Sequence, residues 1–184
     1  MTAVSPAVPW DAATLARELV EAGAVRFGSF TLASGATSDV YVDVKRAWTD
    51  PRRLDGLARA LAARVGPEER LAGMELGAVP LVVAVALLVG RPFVVLRKAP
   101  KEHGTRQAFE GEIPKGSSVL LIEDVTTTGG STARSVEIVR EAGGTISRAV
   151  AVVDREAGAA ERLRELGVRL EPLVTLTQLR AGRR

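Results

Sequence analysis

The sequence predicts an α/β chain: a doubly wound, mainly parallel sheet flanked by helices, with two or three short strands near the N-terminus. Three observations carry that expectation. Short apolar runs bounded by turn residues alternate with helical patterns along most of the 184 residues, the order that builds parallel sheets with right-handed crossovers. The run Val119, Leu120, Leu121, Ile122 lacks polar alternation, so it reads as a strand covered on both faces. Between Val25 and Asp43 the apolar positions are interrupted by Gly28, Ser34 and Gly35, which suits two or three short strands joined by turns.

Taken in order, Asp11 to Ala22 reads as a helix, with an N-cap acid, apolar Leu15, Leu19 and Val20, and Gly23 after it. The short strands between Val25 and Asp43 follow. Asp50-Pro51 opens a second helix to about Val65, cap and proline both in place. Leu71 to Leu76 is a short strand, and Gly77 to Pro80 a tight turn into an apolar helix, Leu81 to Val89. Pro92 to Leu96 is the next strand. Arg97 to Gly116 is polar and aperiodic, a length that usually marks a lid or binding loop. After the central strand and its helix come strand Thr145 to Val153, helix Ala159 to Leu166 and strand Val168 to Leu176. The expected organisation is one domain over residues 1–184, with the first helix and the short strands at about 10–45 and the core at 50–176.

Composition narrows the chemistry. There is no cysteine and a single histidine, His103, which removes disulfides, thiolate nucleophiles and Cys or His metal clusters. Met1 to Trp10 has neither the basic start nor the apolar core of a secretory signal. The longest apolar run, Leu76 to Gly90, contains Pro80 and falls short of the ~20 residues that span a bilayer. It is expected to be a buried helix, and the chain to be cytoplasmic, without a membrane partner. The net charge of +3 comes from arginines dispersed among acids, which suits solvated helix faces better than a nucleic-acid footprint. Of 25 basic residues only four are lysine: Lys45, Lys98, Lys101 and Lys115. Three of the four fall between 98 and 115, so that loop keeps compact, titratable donors in a chain that otherwise prefers arginine.

The stretch with most chemistry is Val119 to Thr132. A buried strand runs into Glu123 and Asp124, then Val125, Thr126, Thr127, Thr128, Gly129, Gly130 and Ser131, and a helix follows. A Gly/Ser/Thr turn opening a helix presents free N–H groups and the positive end of the helix dipole, an anion site. Ser131 or Thr132 can cap that helix. The acids would repel a bare phosphate, so they should face neutral hydroxyls or a metal-bound diphosphate. An ordinary strand, turn and helix with two solvated acids is the competing reading. No Gly-x-x-x-x-Gly-Lys-Ser/Thr or Gly-x-Gly-x-x-Gly occurs in the chain, so a P-loop or dinucleotide site is not expected.

Glu123-Asp124-Val125-Thr126-Thr127-Thr128-Gly129-Gly130-Ser131 resembles the phosphoribosyl-pyrophosphate (PRPP) motif of the type I phosphoribosyltransferases. The resemblance implies that the acids hold the ribose hydroxyls and the loop the 5′-phosphate. Arg97-Lys98, Lys101 and His103-Gly104 are similar to the lid word R-K-x-x-K-x-H-G of the orotate phosphoribosyltransferases, and Arg26 to Gly35 and Ser38 to Lys45 to their hood. That family usually has lysine where this chain has Arg26, implied to lie near the phosphates. Some members place a lysine at the turn where this chain has Leu76-Gly77.

The resemblance further implies Mg²⁺ carried by PRPP rather than by protein ligands, and a homodimer whose lid is shared across the interface. It implies PRPP contacts from Arg97, Lys98, Lys101 and His103, with Lys101, His103 and Asp124 in catalytic roles. Orotate contacts are implied for Phe30, Thr127 and Arg155, the last because a guanidinium fork matches a carboxylate. The expected reaction is phosphoribosyl transfer from PRPP to orotate, a step in pyrimidine biosynthesis. The alternatives are a phosphoribosyltransferase for a purine base and a PRPP-binding transcription regulator.

Overall fold

The computed structural model of the chain describes residues 9–31, 37–99 and 108–182. Helix α1 (Ala12–Glu21) starts where expected, the Asp11 carboxylate accepting from the Thr14 N–H at 2.8 Å. Strands β1 (Val25–Thr31) and β2 (Thr37–Val42) pair antiparallel as a two-stranded sheet of their own, the hood. A helical turn, α2 (Lys45–Trp48), leads to α3 (Pro51–Ala62), capped by Asp50. Then follow β3 (Arg70–Met74), α4 (Val79–Val89), β4 (Phe93–Leu96), β5 (Phe109–Glu110) and β6 (Ser118–Thr126). The chain continues with α5 (Gly130–Glu141), β7 (Thr145–Asp154), α6 (Ala159–Glu165), β8 (Arg169–Thr175) and α7 (Leu176–Ala181).

The large sheet has the order β5-β4-β3-β6-β7-β8, parallel throughout except for β5, which runs antiparallel to β4. Its centre explains the apolar run of β6. Successive side chains of a strand point to opposite faces, and the run divides accordingly. Leu120 and Ile122 join one core with α1, α3 and α4 residues, while Val119 and Leu121 join the other with α5 and α6 residues. All four are essentially inaccessible. Full burial of each is worth roughly 1.5–3 kcal/mol, so β6 cannot shift register by one residue without exchanging two packed cores.

Three elements were not expected from the sequence. Helix α7 is set by a capping box, Thr175 and Gln178 each accepting from the other's backbone. Strand β5 lies inside the polar loop, and α2 is a single turn. Helix α4 also departs from expectation: it is apolar all round, yet Leu87 and Leu88 near its end are exposed, as is Phe93 at the start of β4. Among the described residues no helix is long and apolar enough to cross a membrane.

One ion network ties the amino end of the sheet together. Arg148 on β7 meets Glu68 at 2.6 Å and grips Glu171 on β8 with two bonds of 2.9 and 3.1 Å. It also donates to the Arg64 carbonyl. Glu68 is buried, so losing its partner strands a charge in a low-dielectric site. Arg148→Met should therefore lower the free energy of unfolding by about 3 kcal/mol in a urea titration. Adding Glu68→Gln to that variant should recover part of the loss.

Candidate active site

Strands β3 and β6 are neighbours at the point where the sheet changes direction of winding: the chain moves outward from β3 to β4, then returns to β6 and continues to β7. Ligands of open α/β sheets bind at the carboxyl ends of strands at such a point. Here it opens into a cleft of about 470 Å³. Its floor is the β3 exit (Glu75, Leu76, Gly77) and the β6 acids; its walls are Asp43 and Lys45 after the hood, Lys98 after β4, Thr127 and Ser131 of the central loop, and Arg155 after β7.

Glu123 and Asp124 lie inside β6 rather than beyond its end, so the pleat turns them to opposite sides. Glu123 is buried, and its Oε1 has no hydrogen-bond partner. Burial first, and then the charge of Asp124, push the Glu123 carboxyl up to about 8, with the Thr132 hydroxyl and Lys98 pulling the other way. Asp124 is also raised by burial, against a hydrogen bond from the Val125 N–H (2.9 Å) and the charge of Lys45. Gly77 explains how Asp124 fits. A Cβ added there would sit 2.0 Å from Asp124 Oδ2, so only glycine lets the β3 turn close on the acid. The Glu75–Leu76 peptide just before it is cis.

The central loop divides its hydroxyls. Thr126 is buried and donates to Asp154 on β7 at 3.0 Å, a structural bond. Thr127 and Ser131 line the cleft. Thr128 is exposed, and its carbonyl accepts from Arg162 at 3.5 Å. The expected cap by Ser131 or Thr132 is not made. Gly129 is the N-cap, left-handed at φ +75° and without a side-chain bond, and Thr132 is buried. A Cβ on Gly129 would come within 3.0 Å of the Ala159 α-carbon, so the loop packs too tightly on α6 for a capping side chain. The first-turn N–H groups of α5 remain available to an anion.

The basic residues separate into groups. Lys45 and Lys98 line the cleft. The Lys45 ammonium is 2.5 Å from Asp43, which raises its pKa, helped by Asp124. Arg97 is absent from the cleft lining; its guanidinium meets Glu110 on β5 at 3.1 Å, while its N–H joins the Ala108 carbonyl. Arg26 stacks in the hood, 4.9 Å from the Tyr41 ring centre and 5.6 Å from that of Phe30. Phe30 itself packs on Tyr41, outside the cleft lining. Lys101 and His103 lie outside the described residues.

Arg155 faces the cleft, and among the described residues no carboxylate pairs with it. Asp154 is held by Thr126 and the Glu156 N–H, and Glu156 by the Thr177 N–H. The Arg155 Nε is buried without a partner, and one Nη reaches only the Ser38 hydroxyl at 3.4 Å. Sequence reasoning missed Asp43, Glu75 and the packing role of Gly77. Lys45 had two signals, the scarcity of lysine and its place at the end of the hood word Ser38 to Lys45, but neither assigned it a role in the site.

These acids make the fold pH-sensitive. A carboxyl whose pKa is raised on folding stabilises the fold below its unfolded value, and that contribution is lost as pH rises through the folded value. For Glu123 the window runs from 4.5 to about 8. In the absence of ligands, unfolding free energy should fall by a few kcal/mol across it, ~1.4 per pKa unit. Glu123→Gln should flatten most of that slope in denaturant titrations repeated between the two limits.

The comparisons with known proteins agree with this geometry. Residues 51–166 match the family model described as the phosphoribosyl transferase domain. The orotate phosphoribosyltransferase of Methanopyrus kandleri is 47% identical over 92% of this chain and 92% of its own. The crystal structure of the Aeropyrum pernix orotate phosphoribosyltransferase superposes with a TM-score of 0.81 at 37% identity, covering 90% of this chain and 95% of that one. That of the Mycobacterium tuberculosis orotate phosphoribosyltransferase in complex with PRPP gives 0.74 at 33%, covering 92% and 99%. The chain belongs to the phosphoribosyltransferase family, within its group of orotate phosphoribosyltransferases.

Proposed function

We propose that the chain transfers the 5-phosphoribosyl group of PRPP to N1 of orotate, giving orotidine 5′-monophosphate and pyrophosphate, in the cytoplasm. The observation that carries the reading is the unpaired Arg155 guanidinium, which opens onto the same cleft as the Glu123–Asp124 pair and the Thr127–Ser131 loop. An anion site, hydroxyl acceptors and a carboxylate-binding fork converge there, as a phosphorylated sugar and an acidic base require.

In this assignment the loop N–H groups, with Thr127 and Ser131, hold the 5′-phosphate. Glu123 and Asp124 accept from the ribose hydroxyls, and Arg155 with Thr127 orients orotate. Phe30 and Arg26 stand in the hood outside the cleft lining, and would serve above the base and near the phosphates as the hood comes over bound ligands. The bond between the anomeric carbon and the diphosphate oxygen breaks, its electron pair leaving with pyrophosphate, and N1 of orotate forms the new bond as its proton is released. Lys98, Arg97, Lys101 and His103 offset the charge of the leaving group, and Lys101 or His103 donates a proton to it, help worth about 10² to 10⁴ in rate. The cleft offers hard oxygen donors in Asp124, Glu75 and the loop hydroxyls, which suit Mg²⁺. Asp124 would be the acid nearest the ion as PRPP carries it in, and Mg²⁺ would supply charge neutralisation of the diphosphate. Closure of the lid excludes water from the cleft.

The pairing of Arg97 with Glu110 while Lys98 lines the cleft favours a lid whose basic residues serve two sites in a homodimer. The exposed Leu87, Leu88 and Phe93 supply apolar surface for such an interface.

The test is the loss of orotate absorbance with purified protein, PRPP and Mg²⁺, with uracil, adenine and hypoxanthine run in parallel. Consumption of orotate alone is expected. Turnover of a purine, or PRPP binding with no base consumed, would overturn the assignment. Arg155→Ala should cut kcat/KM for orotate by about 10² to 10³, the effect of unpairing a bound carboxylate, and leave PRPP affinity nearly unchanged.

A further inference from the structure

The Arg155 segment is held in an unfavourable shape by contacts outside the cleft. Glu156 has φ +54°, the only non-glycine residue at positive φ among those described. Left-handed backbone is uncommon for a residue with a side chain and persists where its surroundings impose it. Here the constraint comes from both sides. The Glu156 N–H donates to Asp154 Oδ1 at 3.1 Å, the same oxygen that accepts from Thr126 of the central loop. The Glu156 carboxylate turns outward and accepts from the Thr177 N–H in the first turn of α7 at 2.7 Å. The hydrogen bonds from α7 hold its pKa below the usual glutamate range.

Helix α7 is anchored in turn to the hood. Arg180 meets Asp39 on β2 at 2.6 Å. Ser38, the neighbour of Asp39, is the hydroxyl that Arg155 reaches, and Ser38 is set by its own bonds to the Val40 backbone. A closed circuit therefore runs from the central loop through Asp154 and Glu156 to α7, across to the hood, and back to the Arg155 guanidinium. The Arg155 guanidinium keeps a buried Nε without a partner.

We propose that Glu156 is a positioning residue for the base site: its clasp on α7 holds the 154–156 turn left-handed, aims Arg155 into the cleft, and makes the C-terminal helix part of substrate selection. Glu156 touches no ligand itself. It acts through Arg155, so its loss should be felt by the carboxylate-bearing base and not by PRPP. The inference rests on the assignment of Arg155 to orotate.

The test is steady-state kinetics on Glu156→Ala, Glu156→Gln, Arg180→Met and the Glu156→Ala/Arg180→Met pair, with melting temperatures measured alongside. Glu156→Ala should raise the KM for orotate about fivefold, the worth of a charge-assisted hydrogen bond partly screened by solvent. The KM for PRPP should stay within about twofold of wild type on the same grounds, since the bond is not made to the PRPP site. Glu156→Gln keeps an acceptor oxygen and should recover most of the loss. Arg180→Met should act in the same direction, and the pair should fall short of the product of the single effects because both sit on one path. Unchanged KM for orotate in Glu156→Ala, or equal rises for both substrates, would overturn the inference. If wild type consumed no orotate, the functional assignment would fall, and this inference with it. Wild-type turnover with indifferent variants would remove only the positioning role.

Discussion

Two adjacent acids, Glu123 and Asp124, are held at the junction of β3 and β6 with too little around them to support two full charges. Most of the site follows from that constraint. The sheet must change winding direction there to open a cleft. Gly77 must lack a side chain for Asp124 to fit. Lys45 and Lys98 must stand close enough to moderate the charge. Glu123 retains an unbonded oxygen even so. A fold tolerates such an arrangement when a ligand completes it, because buried acceptors without donors cost stability.

The same logic extends to the cations. The chain places an arginine where a planar fork has geometric value, at position 155, and leaves its Nε without a partner. It places lysines where a compact ammonium faces the cleft. Arg148, in contrast, is an arginine whose fork is used up on Glu171 and whose remaining donor meets Glu68. Satisfied and unsatisfied guanidinium groups thus separate structure from site: the network at the amino end of the sheet is closed, and the one at the carboxyl end is open.

The central strand, its acids, the loop and the alternation of strands with helices were legible in the sequence because each is written locally. Four unbroken apolar residues bounded by turn residues suit a strand covered on both sides, and a Gly/Thr turn before a helix suits an end with free N–H groups. Asp11 and Asp50 announced their helices with side chains that cap them. What stayed hidden depends on contacts distant in sequence. The need for glycine at 77 appears only when Asp124, far along the chain, is brought against it. The missing cap on α5 follows from the approach of Ala159 to Gly129. Strand β5 has two residues, too few for any period, and exists because β4 offers an open edge. Helix α4 shows no polar face in sequence, so its exposed end could not be distinguished from a buried one. Lys45 and Asp43 looked like the end of a hood strand, and only the fold turns them into the cleft.

The central claim is that the buried acid pair is the ribose-binding element around which the site is built. It is tested most directly by calorimetric titration of PRPP with Mg²⁺ into wild type and into Glu123→Gln/Asp124→Asn, whose side chains keep their volume and lose their charge. The account predicts that the variant folds but binds PRPP at least about 100-fold more weakly, two charge-assisted hydrogen bonds having been weakened. Equal affinity in the two proteins would contradict it, and would move the binding site away from the junction of β3 and β6.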